Sequence, residues 1–89
     1  MNKLIWVKDL IFCDYTARFD HGSKLSVFLI RPRPDDKFVL LWSSVSYGQA
    51  INWRGFCDSG LLCHNNNSVP RTIEECKILA ESHLRSLQW

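Results

Sequence analysis

The sequence contains no long apolar run. Its longest, Val27 to Ile30 and Phe38 to Trp42, fall far short of the roughly 20 residues that a membrane-spanning helix needs. It also lacks a charge of one sign: eleven Lys and Arg stand beside nine Asp and Glu, for a net charge of +2. A chain so balanced is not acidic enough to imitate DNA, and its long-range pull on a phosphate backbone is modest. The four glycines are too widely placed to form a phosphate-cradling loop. The amino end, Met1 to Asp9, has charges on both sides of a very short apolar segment and no small-residue cleavage site, which reads as no signal peptide. The expected address is therefore cytoplasmic. Cys13, Cys57, Cys63 and Cys76 are then expected as reduced thiols packing as small apolar groups.

What is present belongs to a small folded protein. With 46% hydrophobic and 22% charged residues the composition is ordinary for a globular chain. Its 89 residues make one domain, residues 1–89. A domain of this size buries only roughly 60 to 65% of the surface its unfolded chain exposes, which leaves no room for a deep cleft.

Period-two alternation and turn residues divide the first seventy residues. Leu4 to Val7 reads as a short first strand, and Phe12 to Phe19 as a second. Asp20-His21-Gly22-Ser23 supplies turn chemistry, with Gly22 free to take positive φ. Leu25, Val27 and Leu29 alternate with Phe28 and Ile30, the mark of a central strand covered on at least part of both faces. Pro32 and Pro34 stop that ladder and leave Arg31 to Asp36 as a rigid basic loop. Phe38, Leu40 and Trp42 lead the next strand, after which a bulge or turn is expected over Ser43 to Gln49. Ile51, Trp53 and Phe56 make a last strand, followed by a long polar excursion through His64-Asn65-Asn66-Asn67-Ser68.

The carboxy-terminal segment is a helix, Ile73 to Gln88. Thr72 and Glu75 have capping-box spacing, and Glu74 and Glu75 suit the positive end of the helix dipole. Ile73, Cys76, Ala80, Leu84 and Leu87 fall on one stripe, bordered by Lys77 and His83. The fold class is α+β: an antiparallel sheet of about four strands with this helix on one face. One helix covers one face, so the opposite face and the sheet edges are expected to be free.

No pattern carries chemistry. Cys57, Cys63 and His64, with Cys13 or Cys76, have poor spacing for a zinc site. Cys63 with His64, and Cys13 with His21, do not sit in a nucleophile turn. Asp35-Asp36 reads as a solvated turn and Glu74-Glu75 as a helix start. The expectation is no enzyme, no catalytic residue, no metal and no cofactor.

Binding is what remains. Trp, Tyr and Arg commonly carry interface energy, which singles out Arg31, Arg33, Tyr47, Trp53 and Arg54. Ile78 and Trp89 join them from the outer side of the helix. A DNA-binding alternative draws Arg18, Lys24, Arg31 and Arg33 into one basic edge of a hairpin, as sheets that read DNA do. The layout of a three- or four-stranded sheet followed by one helix resembles the arm-binding domains of phage integrases. The order Leu4-x-Trp6, Tyr15-x-Ala17, Trp53-x-Gly55-Phe56 and Thr72-Ile73-Glu74-Glu75-Cys76-Lys77-x-x-Ala80-Glu81-x-His83 is similar to small phage- or prophage-encoded proteins with a sheet and a closing helix. Proteins of this kind include anti-CRISPR and other anti-defence inhibitors. The resemblance implies occlusion of a host protein or ribonucleoprotein complex, such as a nuclease complex, by a monomer or homodimer without a membrane. A structural or self-associating phage protein is the third reading.

Overall fold

The computed structural model describes residues 4–20, 22, 24–46 and 48–87. Five strands, β1 (Val7–Lys8), β2 (Tyr15–Asp20), β3 (Lys24–Pro32), β4 (Phe38–Ser46) and β5 (Arg54–Gly55), precede one helix, α1 (Ile73–Leu87). The strands lie side by side in chain order, each antiparallel to the next. The fold is α+β, an antiparallel sheet with one carboxy-terminal helix, and the sheet has one strand more than the sequence led us to expect.

Turn chemistry sets the register. The Asp20 carboxylate accepts from the Gly22 amide at 2.8 Å, and Gly22 takes a φ of 87°. His21 and Ser23 of that expected turn lie outside the described residues. Between β3 and β4 the chain reverses within Arg33 to Lys37, where the Arg33 amide donates to the Lys37 carbonyl at 2.8 Å. Asp36 takes a φ of 63° there, which a short polar side chain tolerates. Pairing of β3 with β4 then runs unbroken from Pro32↔Phe38 to Lys24↔Ser46. Of the bulge or turn expected over Ser43 to Gln49, no bulge forms, because β-branched and hydroxyl side chains keep the ladder going as far as Ser46; the turn follows it, with the Gln49 amide donating to the Ser46 carbonyl at 3.1 Å.

Three other boundaries also differ from expectation. Leu4 and Trp6 belong to the core rather than to a first strand, and β1 begins only at Val7. β2 starts at Tyr15 instead of Phe12, because Asp9 organises a turn over the intervening residues. The last strand is shorter than Ile51 to Phe56, and Phe56 instead forms an isolated bridge with Leu62.

The helix closes the domain as its sequence dictates. The Thr72 amide donates to Glu75 Oε1 at 3.0 Å and the Glu75 amide to Thr72 Oγ1 at 3.2 Å, the reciprocal capping box. These bonds, the Thr72 amide foremost, hold the Glu75 carboxyl below its ordinary pKa. Cys76, Ala80 and Leu84 are buried. Two of these are small, which lets the helix approach a row of rings on the sheet.

That row explains the small residue at position 17. Ala17 pairs with Phe28 and Phe28 with Trp42, and carrying the β1–β2 register back one residue sets Trp6 opposite Ala17. Trp6 meets Phe28 edge-on at 6.4 Å between ring centroids. Only a methyl group fits between the two rings, and Ala17 is buried there. His83, from the helix border, stands edge-on to Phe28 of this row at 6.2 Å and to Phe56 beside it at 5.2 Å.

The opposite face is less open than a single helix implied. Val27, Leu29, Leu41 and Ser43 point away from the helix, yet all are buried. Loops supply the cover. The Asn52 amide donates to Ser43 Oγ at 3.2 Å. At Gly55, opposite Leu41, an added Cβ would lie 2.0 Å from the Asn67 carbonyl oxygen. The polar excursion thus serves as a partial roof.

Candidate protein-binding surface

The sheet's two edges differ. At β5 the Gly55 amide donates to the Asn65 carbonyl at 2.8 Å, and the Cys63 amide donates to the Gly55 carbonyl at 2.8 Å. That edge is capped by its own chain. At the other edge, Val7 and Lys8 of β1 are exposed, and β1 leads directly into a turn of unusual composition.

The turn holds Leu10, Ile11 and Phe12, which are 89%, 83% and 71% exposed. Its shape comes from Asp9, whose Oδ1 accepts from the Ile11 amide at 2.7 Å and from the Phe12 amide at 2.9 Å. The Asp9 amide donates to the Asp14 carbonyl at 2.7 Å, and the Cys13 amide to the Asp9 carbonyl at 2.9 Å. Cys13 then takes a φ of 61° to bring the chain back into β2. The amides of Phe12 and Ile11 hold the Asp9 carboxyl below its ordinary pKa. Three apolar side chains are therefore presented to solvent by a turn whose backbone is already fixed. Val7 and Ile5 continue the exposed apolar run along β1. Single exposed apolar residues are commonplace, but five large ones within residues 5–12 form a patch of the kind that marks a binding surface.

Charge around the patch is mixed. The register Tyr15↔Ile30 and Pro32↔Phe38 puts the β3–β4 turn at the same end of the sheet. Lys8, Arg31, Arg33 and Lys37 gather there with Asp9, Asp14, Asp35 and Asp36, four of each sign. Arg33 Nε lies 3.3 Å from Asp35 Oδ1. An apolar centre within a polar rim of both signs is the anatomy of a protein interface. Arg31 and Phe12 line one shallow hollow with Asp14 and Pro32, and Arg18 lines another beside Ile5, Val7 and Thr16.

The residues singled out from sequence are not brought together. Arg31 and Arg33 stand at the apolar turn. Trp53 and Arg54 are half-buried near the opposite edge, and Arg54 Nε donates to the Cys63 carbonyl at 2.8 Å. Ile78 is exposed on the helix, away from both groups. Tyr47 and Trp89 lie outside the described residues. The proposed basic edge does not assemble either. Lys24 and Arg31 are at opposite ends of β3, about 20 Å apart at some 3.3 Å per residue, and β3 is a central strand with no free edge. Leu10, Ile11 and Phe12 were missed because an apolar run after a polar residue reads as the start of a strand. The signal was the acid on each side, Asp9 and Asp14, with Asp9 placed to cap a turn.

The cysteines also correct the expectation. Cys57 and Cys63 form a disulfide with Cα atoms 5.8 Å apart, where reduced thiols were expected. A turn at Gly60, φ 87°, brings Cys57 and Cys63 together diagonally across the Phe56–Leu62 bridge. Cys13 and Cys76 are free, the first exposed and the second buried. Burial pushes the Cys76 thiol up to about 11. Among the described residues, no three His, Cys, Asp or Glu gather to hold a metal ion, and no helix is long and apolar enough to cross a membrane. His21, named with Cys13, is outside the described residues.

Comparison with known proteins adds no relative: no family model, no curated protein and no solved structure matches the chain.

Proposed function

We propose that the chain is a non-enzymatic binding protein that seats its β1–β2 turn in an apolar recess of a host protein or ribonucleoprotein complex. It inhibits that complex by occlusion, in the manner of the anti-CRISPR-like phage proteins its residue pattern resembles. The observation that carries the reading is the exposure of Leu10, Ile11 and Phe12 on a turn locked by Asp9. A fixed turn loses little conformational entropy on docking. Such an anchor, once desolvated, is where binding energy concentrates. Arg31 stands beside Phe12 to pair with an acidic rim, while Ile5 and Val7 widen the contact.

The test begins with capture from a bacterial lysate and continues with the purified partner. Changing Leu10 and Phe12 together to Ser is expected to weaken binding at least about 30-fold, the loss of some 2 kcal/mol or more typical of a central anchor. Circular dichroism should be unchanged, and Ile78→Ser should bind as the parent does. Equal binding by the double variant would overturn the reading. So would an affinity for DNA that falls steeply with salt, or a concentration-dependent dimer that the double variant abolishes.

A further inference from the structure

Cys57 and Cys63 have no part in the binding surface, and their setting is unusual for a purely structural cross-link. The shape of the loop they close is fixed by bonds that do not involve sulfur. The Cys57 amide donates to the Leu61 carbonyl at 2.8 Å, the Gly60 amide to the Cys57 carbonyl at 2.9 Å, and the Cys63 amide to the Gly55 carbonyl at 2.8 Å. Phe56 and Leu62 bridge beside the pair, between the two diagonal cysteines. Two guanidinium groups hold it from outside: Arg71 Nη2 donates to the Cys57 carbonyl and Arg54 Nε to the Cys63 carbonyl. None of these contacts runs through a sulfur atom, so none of them requires the S–S bond. Both cysteines are half-buried rather than enclosed in the core, which leaves the pair open to a small thiol.

We propose that Cys57 and Cys63 are a reversible thiol–disulfide exchange site whose substrate is a low-molecular-weight thiol and its disulfide, of the glutathione type. In reduction, the thiolate of one small thiol attacks a sulfur of the pair. The Sγ–Sγ bond breaks, a mixed disulfide forms, and the other cysteine leaves as a thiolate that takes up a proton. A second small thiol attacks the mixed disulfide and departs as the oxidised small disulfide, freeing the remaining cysteine. Two electrons pass into the pair and two small thiols are oxidised. The reverse sequence needs only the small disulfide as oxidant. Because the loop is held independently, the second protein thiol is always poised to expel the adduct, so the mixed disulfide does not accumulate.

The other thiols do not compete. Cys76 is buried and its thiol is held protonated. Cys13 is exposed and single. The experiment therefore blocks Cys13 with N-ethylmaleimide while the disulfide is intact, then equilibrates the protein anaerobically in mixtures of reduced and oxidised glutathione. Free thiols are trapped with iodoacetamide and counted by mass. The expected result is a two-state change between no label and two labels, confined to Cys57 and Cys63, with glutathione adducts a minor species. Amide NMR spectra of the two end states should coincide outside residues 54–64. Three results would overturn the proposal: a pair inert to glutathione under native conditions, a predominant glutathione adduct, or loss of the folded spectrum on reduction. The last would make the bond a structural staple.

Discussion

His83 stands edge-on to Trp42, with ring centroids 4.7 Å apart and planes at 76°. Phe28 and Phe56 complete an aromatic cage around the imidazole, and among the described residues neither His83 Nε2 nor Trp42 Nε1 has a hydrogen-bond partner. Burial, aided by the Arg54 charge, holds the His83 pKa below its ordinary value. The folded protein therefore binds fewer protons than the unfolded chain between the folded pKa and the ordinary value near 6.5. Stability from the neutral ring is complete above about pH 6.5 and is lost as pH falls toward the folded pKa. Thermal melts between pH 7.5 and pH 5 should show the midpoint falling, and His83→Met should flatten that slope.

Ala17 is the small member of a row of rings. Ala17→Leu would push a branched side chain between Trp6 and Phe28, with the helix closing the third side. Overpacking of a filled core costs about 1–3 kcal/mol. Urea unfolding should show a loss in that range with an unchanged m-value.

Gly55 is required for space rather than for its torsion angle. A Cβ there would meet the Asn67 backbone at 2.0 Å, so Gly55→Ala must displace the loop that covers Leu41. The expected cost is again about 1–3 kcal/mol. Faster amide exchange should appear in the ladder of Gly55 with Cys63 and Asn65, while the helix is unaffected.

Reduction of Cys57–Cys63 should lower stability without unfolding the chain. The closed loop is short, so the chain-entropy model gives the bond a contribution of only about 2 kcal/mol. Chemical denaturation with and without dithiothreitol measures it, and both curves should start from the same native spectrum.

Asp9 fixes the binding turn. Asp9→Ala frees the amides of Ile11 and Phe12, which should then exchange faster, and it should weaken partner binding while leaving the core untouched. Because hydrogen bonding depresses the Asp9 pKa, the same protection in the parent protein should be present above the ordinary aspartate range and lost only in stronger acid.

Local physics made much of this architecture readable from the chain. Thr72 and Glu75 satisfy each other's orphan amides, and Cys76, Ala80 and Leu84 repeat at helical spacing, so the helix and the centre of its buried stripe were legible; Leu87, expected on the same stripe, is exposed in the last turn. Gly22 and Pro34 likewise marked where hairpins turn, although Arg31 and Pro32, expected in the loop, still pair with Val39 and Phe38. Alternation placed β3 and β4, and the apolar residues on both sides of β3 announced a strand covered twice.

What tertiary structure decided were relationships between residues far apart in sequence. Ala17 is small because Trp6 and Phe28 flank it across two strands. Gly55 is glycine because Asn67 returns over it, and Cys57 finds Cys63 because the chain reverses at Gly60. The exposure of Leu10, Ile11 and Phe12 belongs to the same category. Hydrophobicity says that a side chain gains by leaving water, but only the arrangement of the other elements determines whether a place exists for it, and at this end of the sheet the described residues provide none.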